Sequence, residues 1–504
     1  MLSRRQLLAA PAILAAAPSP TRLLTLNEDA NHFFVNRRKQ RLTRESIRQW
    51  VDPYANTQVA ELVLNVNAMR SSFPSKHREA WWTGFDPASG AQQPFLKPLP
   101  ESARQTWYEW IRCAWQMNED KLDLYEIWIP EIRRQKMSPW ISVRMNDLHE
   151  VDKEDHPMHT AFWRDNKQYR RVPYRGEQRD KALDYSQKAV RDYYFRYIEE
   201  VCERYDFDTL ELDWMRFGFH FRPGHEDPKI LTDYHTEVRK LLNLWQRKRG
   251  HKIGLAVRVP STPRTSKRLG MDAEAWAQLN LVNYVTPTNF WRTVDNNMPI
   301  DEWRKLLPKS TTLAAGLELG CNAFQGSTGT GNKAYQSNSI ETARGSAIAY
   351  LHMGASKIYL FNYMDSDTAL DDNTKYSELL TQLTDPTKPR RHVVTYKDTW
   401  APGEVPNHAL PVNLEPNTWR AFRLLTGPNP SNAKVRLGLT NPSVKVRVNN
   451  AETSPGQQIE LVHPGPNTNV YEYSVPANTL EQGETVIEVT AQAATRIEWV
   501  ELAT

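Results

Sequence analysis

The feature that most constrains the fold is a repeated alternation of short apolar runs with helical patterns between residues 24 and 386. Helical patterns at 230–249 and 339–353 stop at Gly250 and Gly354, which are typical residues for a helix C-terminus. Eight strands separated by helices predict an α/β fold, a closed parallel (β/α)8 TIM barrel. The predicted strands are 24–29, 61–67, 140–146, 209–213, 253–258, 281–286, 311–316 and 357–361.

The pattern changes near residue 387. From there to residue 504 the chain lacks long helical periodicity and shows alternating runs at 435–439, 444–448 and 485–489, which Pro, Asn and Gly separate. Such runs are typical of antiparallel strands. We therefore predict a barrel over residues 24–386, followed by an antiparallel β-sandwich accessory domain over residues 387–504.

The N-terminal segment has the composition of an export signal. The run SRRQLL at residues 3–8 precedes an apolar, alanine-rich stretch that reaches Ala17. This order is typical of a twin-arginine signal peptide, which we assign to residues 1–23. The expected localisation is periplasmic or secreted.

Composition and motif content argue against several classes of function. A net charge of +5 over 504 residues is too dilute and too evenly spread to predict nucleic-acid binding. No apolar run reaches the roughly 18 residues of a membrane span. The three cysteines lie far apart in sequence and are expected to be buried thiols. Signatures of serine hydrolases, P-loop NTPases and dinucleotide-binding proteins do not occur, and we predict no cofactor.

The fourth predicted strand carries two carboxylates on one face. Because side chains alternate along a strand, Glu211 and Asp213 point to the same side of the run FDTLELDWMRF at residues 207–217, opposite Trp214. Burying carboxylates costs several kcal/mol unless they are paired, so their presence in an apolar strand indicates a use. Asp213 lies nearer the C-terminal rim and is the predicted principal catalytic residue.

Two arginines stand on the strands that flank Glu211 in the barrel order. We expect the guanidiniums of Arg144 and Arg258 to hold Glu211 ionised, which gives Glu211 a structural and electrostatic role within the catalytic group. Glu318 follows strand seven and is the predicted carboxyl partner of Asp213, although a surface glutamate would give the same pattern. The rival partners are Asp29, Asp147, Glu226 and Asp365.

Polar residues occur at the C-terminal ends of the predicted strands, where TIM-barrel active sites lie. The run SVRMNDLH at residues 142–149 fits either substrate positioning or a network that ties the following loop to the barrel. The predicted substrate-binding residues are Asn27, Asp29, His32, Asn67, Arg144, Asn146, Asp147, His149, Trp214, Arg216, His220, Arg258, Asn289, Trp291, Asn362 and Tyr363.

Aromatic residues in the loops after strands are expected to form stacking platforms for sugar rings. These residues are Trp81, Trp82, Phe85, Phe219, Phe221, Phe290 and Trp291. A metal site built from His149, His220 and His225 lacks tight ligand spacing, and no metal is predicted.

The segment DTLELDWM at residues 208–215 resembles the Asp-Gly-x-Asp-x-Asp-x-Glu signature of chitinase-like family 18 glycoside hydrolases, which lies on strand four of their barrel. Met215 stands where that family has its general acid. The resemblance therefore implies the barrel without that family's substrate-assisted mechanism. More broadly, the chain resembles exported bacterial glycoside hydrolases with a (β/α)8 domain and a C-terminal sandwich, which implies a poly- or oligosaccharide substrate.

Glycosidic hydrolysis generally uses two carboxyl groups, and we assign these roles to Asp213 and Glu318. Two alternatives stay open: a non-catalytic glycan-binding barrel, which Met215 favours, and a polysaccharide lyase-type enzyme. In the lyase, Arg144, Arg258 and His149 would act beside a uronate. The sandwich is expected to brace the barrel, since several of its few aromatic residues occupy alternate positions.

Overall fold

The computed structural model describes residues 21–29, 31–289, 293–323, 337–364, 370–395, 409–428, 432–461 and 468–504. Eight parallel strands form a closed barrel in chain order. They are β1 (Leu24–Glu28), β2 (Val59–Asn65), β3 (Ser138–Arg144), β4 (Thr209–Asp213), β5 (Gly254–Pro260), β6 (Tyr284–Thr288), β7 (Thr312–Leu317) and β8 (Lys357–Leu360). The predicted TIM barrel is confirmed.

Strand β4 has the bounds that the sequence predicts, and β6 differs most at its start. Residues 281–286 are apolar enough to read as a strand from Leu281 onward. In the structure the amide of Leu281 instead donates to the carbonyl of Trp276 at the end of the preceding helix. The strand therefore begins only at Tyr284.

Twelve α-helices are present in the described residues. Helix α7 ends at Gly250, whose φ of 77° is the left-handed conformation that glycine adopts readily. The helices are α1 (His32–Asn36), α2 (Arg44–Gln49), α3 (Glu101–Glu119), α4 (Leu124–Arg134), α5 (Ala161–Asp165), α6 (Lys188–Arg204), α7 (Pro228–Arg249), α8 (Pro263–Arg268), α9 (Ala273–Gln278), α10 (Ile300–Leu306), α11 (Ile340–His352) and α12 (Tyr376–Gln382). Within the described ranges, no helix combines the length and apolarity needed to cross a bilayer.

Alternation along the strands separates two layers of side chains. Outward residues such as Leu210 and Leu212 join the large core between barrel and helices. Inward residues form a second, smaller cluster that fills the barrel: Val63, Trp140, Ala256, Tyr284, Ala314, Tyr359 and Phe361. Glu211 and Asp213 alternate with the outward leucines and so belong to the inward face, where Glu211 is the register partner of Ala256.

The C-terminal region consists of two antiparallel sheets that share an apolar core. One sheet contains β9 (Arg391–Val393), β10 (Val412–Leu414), β12 (Lys434–Leu439), β15 (Gln457–Ile459), β16 (Asn469–Ser474) and β18 (Thr495–Ala503). The other contains β11 (Trp419–Gly427), β13 (Val444–Val448), β14 (Ala451–Glu452) and β17 (Gly483–Ala491). The expected β-sandwich is confirmed.

The sandwich packs directly against helix α11 of the barrel. Gly345 lies so close to strand β9 that a Cβ atom there would stand 2.1 Å from the carbonyl oxygen of Arg391. The Arg391 guanidinium in turn donates to both carboxylate oxygens of Glu501 on β18, at 2.8 and 2.6 Å. Cys113, Cys202 and Cys321 are buried and free, as expected.

Candidate active site

The centre of the site is an ion pair between neighbouring strands. Asp213 on β4 and Arg258 on β5 are register partners, and both side chains point into the barrel. Arg258 Nε donates to Asp213 Oδ1 at 2.9 Å, and Nη2 donates to Oδ2 at 3.2 Å. Both residues are buried. Such a bidentate contact between a guanidinium and a carboxyl group is a strong, charge-assisted hydrogen-bond pair.

Glu318 follows β7 and lies on the other side of the same guanidinium. Its Oε1 is 3.5 Å from Arg258 Nη1 and 3.4 Å from Thr288 Oγ1. Its backbone carbonyl accepts hydrogen bonds from Tyr363 at 2.9 Å and from Asn338 at 2.8 Å, which fixes its position. Burial raises the pKa of Glu318 to about 7, although the positive charge of Arg258 opposes the shift.

The shared arginine limits the distance between the two carboxyl groups. Arg258 Nε and Nη1 are joined through Cζ by two C–N bonds of about 1.33 Å each. Nε lies 2.9 Å from Asp213 Oδ1, and Nη1 lies 3.5 Å from Glu318 Oε1, so these two oxygens are at most about 9 Å apart. The Arg258 guanidinium itself lies over the ring of Phe361, 3.6 Å from the ring centroid. This contact holds it between the two acids.

Glu211 lies two residues earlier on β4, about 6.6 Å deeper at ~3.3 Å per residue. Tyr359 on β8 donates a hydrogen bond of 2.9 Å to its Oε1. The expectation that Arg144 and Arg258 hold Glu211 ionised is wrong, since both guanidiniums form ion pairs with other carboxylates. Burial, together with the negative charge of Asp213, instead raises the pKa of Glu211 to about 7.

A second charged cluster lies at the ends of β1 and β3. Arg144 Nη2 is 2.8 Å from Asp29 Oδ1, and Arg144 Nη1 donates to Asp147 Oδ2 at 3.5 Å. Burial would raise the pKa of both carboxyls. The pKa of Asp29 is nevertheless lowered by Arg144, and that of Asp147 by His149 and Arg144. The pKa values of both acids are thus lowered, whereas that of Glu318 is raised.

His149 connects this cluster to Arg216. Its Nδ1 is 2.8 Å from Asp147 Oδ1, and its Nε2 is 2.6 Å from Arg216 Nη2. Since a carboxylate can only accept and a guanidinium can only donate, Nδ1 carries the ring proton and Nε2 accepts. His149 thus bridges a fixed acceptor and a fixed donor.

Asn67 and Asn146, both predicted to bind substrate, form hydrogen bonds with backbone groups of neighbouring segments. Asn67 donates to the carbonyl of Arg144 at 3.1 Å and accepts from its amide at 3.1 Å. Asn146 donates to the carbonyls of Leu183 and Phe219 at 3.0 and 2.9 Å. The 142–149 segment is expected from its sequence either to position substrate or to tie the following loop to the barrel. Asn146 has the second role, because its side-chain amide joins the loops after β3 and β4.

Trp214 and His220 lie behind the barrel wall, so their prediction as substrate-binding residues is corrected. Trp214 is fully buried, and its indole donates to His235 of α7 at 3.2 Å. His220 bonds the carbonyl oxygen of Trp214 at 2.8 Å, and burial lowers its pKa to about 4. Strand alternation turns Trp214 toward the helices. His220 lies next to Trp214 because its ring bonds the Trp214 carbonyl oxygen.

The remaining predicted residues are spread around the barrel mouth. His32 bonds Glu28 at 3.0 Å on β1, and Asn289 donates to the carbonyl of Thr293 at 2.9 Å. Asn27 on β1 is buried, and Asn362 after β8 has a φ of 61°. Trp291, Phe290 and Asp365 lie outside the described residues, while Glu226 is partly exposed in the loop after β4.

Most of the predicted stacking aromatics are core residues. Trp81, Phe85, Phe219 and Phe221 are buried, and Trp82 is partly exposed. The Trp81 ring packs edge-on against Trp110 of α3, with centroids 5.3 Å apart. The long loop after β2 folds back onto the helices, so its aromatic residues serve packing rather than the cleft.

Sequence reasoning missed three residues that shape the site: Tyr359, Phe361 and Thr288. They contact Glu211, Arg258 and Glu318, respectively. Tyr359 lies on β8, Phe361 directly follows that strand, and Thr288 ends β6. Strand alternation at these positions could have indicated that they face into the barrel. Among the described residues, no group of three His, Cys, Asp or Glu side chains could hold a metal ion.

No protein-family model and no curated protein matches the chain. Matches among solved structures have low identity and low TM-scores. A cycloisomaltooligosaccharide glucanotransferase from Paenibacillus sp. is 8% identical over 95% of this chain and 57% of its own, with a TM-score of 0.33. A GH30 xylanase C catalytic domain from Talaromyces cellulolyticus is 10% identical, with coverages of 93% and 96% and a TM-score of 0.35.

A family 18 N-acetylglucosaminidase from Paenibacillus barengoltzii is 9% identical over 72% of this chain and 99% of its own, with a TM-score of 0.37. The chain spans little more than half the length of the first of these structures. At such identities and TM-scores these matches assign no activity to the chain. The chemistry must be argued from the side chains.

Proposed function

We propose that this protein is a glycoside hydrolase in which Glu318 is the proton donor and Asp213 is the ionised carboxylate. The observation that carries the proposal is the placement of both acids on one guanidinium, that of Arg258, at the C-terminal ends of β4 and β7. One acid is held in a bidentate ion pair, and the other has its pKa raised to about 7. Pairs of acids in such different environments are typical of general-acid chemistry.

The hydrogen bonds of Asp213 leave one of its acceptor positions unused. Its Oδ1 accepts from Arg258 and from the amide of Met215 at 3.0 Å, and its Oδ2 accepts from Arg258. A carboxylate offers about four acceptor positions, so one on Oδ2 stays open for water or an anomeric carbon. Glu318 in its protonated form would donate to the glycosidic oxygen as the bond breaks.

The distance limit of about 9 Å admits both stereochemical outcomes, since retaining enzymes place their carboxyls about 5–5.5 Å apart and inverting enzymes about 6.5–9.5 Å apart. The proposal therefore covers hydrolysis of a poly- or oligosaccharide without choosing between them. We also propose that the enzyme acts after export, on the basis of the SRRQLL run at residues 3–8.

The test is release of reducing ends from a panel of neutral, uronic and sulfated polysaccharides. Asp213→Asn and Glu318→Gln should each lower the rate by a factor on the order of 10²–10⁴ while circular dichroism stays unchanged. Glu237→Gln on the exposed face of α7 is the matched control and should keep wild-type activity. Wild-type activity in either active-site variant would remove that residue from the mechanism.

The lyase alternative is less well supported by the geometry. A lyase needs a base near the uronate, and the acceptor nitrogen of His149 is already occupied by the Arg216 guanidinium. Formation of an unsaturated uronate product would identify a lyase. Saturable glycan binding without turnover on the whole panel would identify a binding protein.

A further inference from the structure

Three guanidiniums converge at the mouth of the barrel: Arg144, Arg216 and Arg258. Arg144 pairs with Asp29 and Asp147, and Arg258 pairs with Asp213 and Glu318. Among the described residues, Arg216 has no carboxylate within ion-pair distance. It is the one of the three without a direct carboxylate partner there, although the negative charges of Asp29 and Asp147 are near enough to favour its charged form.

The hydrogen bonds of Arg216 leave most of its donors unused. Nη2 donates to the His149 ring, an acceptor that brings no negative charge. Nε is buried without an acceptor in the described part of the chain, and Nη1 has no acceptor there either. Burial, with the nearby positive charge of Arg144, lowers the pKa of Arg216 to about 10, so the side chain still carries its charge at neutral pH.

Arg216 lies between the two clusters and close to the proposed catalytic acids. Its guanidinium carbon is 5.9 Å from the centroid of the Phe361 ring, which also supports Arg258. Its positive charge lowers the pKa of Glu318, which places the two groups within electrostatic range. The neighbouring His149 side chain is 30% exposed, so this side of the cleft is open to solvent.

A guanidinium nitrogen that is buried without an acceptor, as Nε of Arg216 is among the described residues, is unfavourable because it has lost its hydrogen bonds to water. A planar fork of free donors also matches the oxygens of a carboxylate or of a sulfate group. A ligand that supplies such an anion would give Nη1 an acceptor.

We propose that Arg216 binds an anionic substituent of the saccharide, either the carboxylate of a uronic acid residue or a sulfate ester. This inference rests on the proposed function of the Asp213 and Glu318 site, and it names the substrate class. The two anions share the chemistry that the guanidinium recognises, and the experiment separates them.

The experiment measures binding by the full chain, using monosaccharides that have no glycosidic bond to cleave. Ligand-observed NMR would compare glucose, glucuronic acid and glucose 6-sulfate, and likewise galactose and galacturonic acid. The wild type should bind at least one charged sugar on the order of tenfold more tightly than its neutral counterpart. The sugar that shows the preference identifies the anion as carboxylate or sulfate.

Arg216→Gln should abolish that preference, whereas Arg222→Gln, which alters an exposed arginine on the loop after β4, should keep it. If Arg216→Gln fails to fold, Arg216→Lys should still reduce the preference several-fold because it loses the planar fork. Equal binding of charged and neutral sugars by the wild type, or an unchanged preference in the Arg216 variants, would overturn the inference.

The two proposals fail in different ways. A preference for charged sugars with no hydrolysis of any polysaccharide would contradict the proposed function and leave the Arg216 assignment standing. Hydrolysis of neutral glycans with no preference for charged sugars would support the proposed function and contradict the Arg216 assignment.

Discussion

Arg258 donates hydrogen bonds to both carboxylate oxygens of Asp213 from the neighbouring strand, at 2.9 and 3.2 Å. The pair is buried, and its remaining guanidinium nitrogen approaches Glu318. One side chain thus fixes the charge of one acid and the position of both. The stability of the barrel mouth and the proposed chemistry therefore depend on the same contact.

Replacing Arg258 by Met should destabilise the protein by about 3–5 kcal/mol, because it leaves Asp213 buried without its counter-charge. Urea unfolding followed by circular dichroism measures the loss. Asp213→Asn in the Arg258→Met background should recover part of it. Arg423→Met removes an exposed ion pair with Glu484 and should change stability by less than about 0.5 kcal/mol. A similar small effect at Arg258 would show that the buried pair does not stabilise the fold.

The rate of glycoside cleavage should fall as the pH rises through about 7, because Glu318 must be protonated to donate its proton. The fall should approach tenfold per pH unit above that value. A profile of kcat/KM between pH 5 and pH 9 measures it. A substrate whose leaving group needs no protonation should show a weaker dependence. A flat profile up to pH 9 would exclude Glu318 as the acid.

Glu211→Gln should make the protein more stable than the wild type at pH 8, and the gain should vanish near pH 4. The pKa of Glu211 is raised from 4.5 to about 7 in the folded state by burial and by Asp213. The unfolded chain thus releases its proton first, and folding stability is lost as pH rises from about 4.5 through about 7. Glutamine keeps an acceptor for Tyr359 and cannot ionise.

Thermal unfolding at both pH values measures this difference, and Glu237→Gln on the exposed face of α7 should follow the wild type. Equal stability of the Glu211→Gln variant and the wild type across this range would mean that Glu211 is not held in an environment that penalises its charge.

Gly345→Ala should lower the free energy of unfolding by about 1–3 kcal/mol, because the new Cβ would lie 2.1 Å from the carbonyl oxygen of Arg391. Alanine favours a helix over glycine by about 1 kcal/mol, so a loss would come from the interface with β9. Gly176→Ala, where a Cβ meets nothing within 4 Å, is the control. Unchanged stability of Gly345→Ala would show that helix and sheet separate easily.

Most of the barrel could be predicted because its signals are local. The period-two pattern of β4 placed Glu211 and Asp213 on the inner face, and the structure has them there. The same alternation argues against Trp214 as a ligand-binding residue, since it turns the indole toward His235. Loop aromatics such as Trp81 carried no such signal, because burial of a loop depends on where the whole chain folds back.

By itself the sequence determined the number and order of the barrel strands, the inward face of β4 and the position of three sandwich strands, β12, β13 and β17, because these follow from periodicity along the chain. Only the tertiary structure decided which charges meet. Closure of the barrel brings Tyr359 of β8 across to Glu211 of β4 and sets Arg258 between Asp213 and Glu318. Distances between strands remote in sequence depend on how the whole barrel closes, and these distances determine the ionisation of the site.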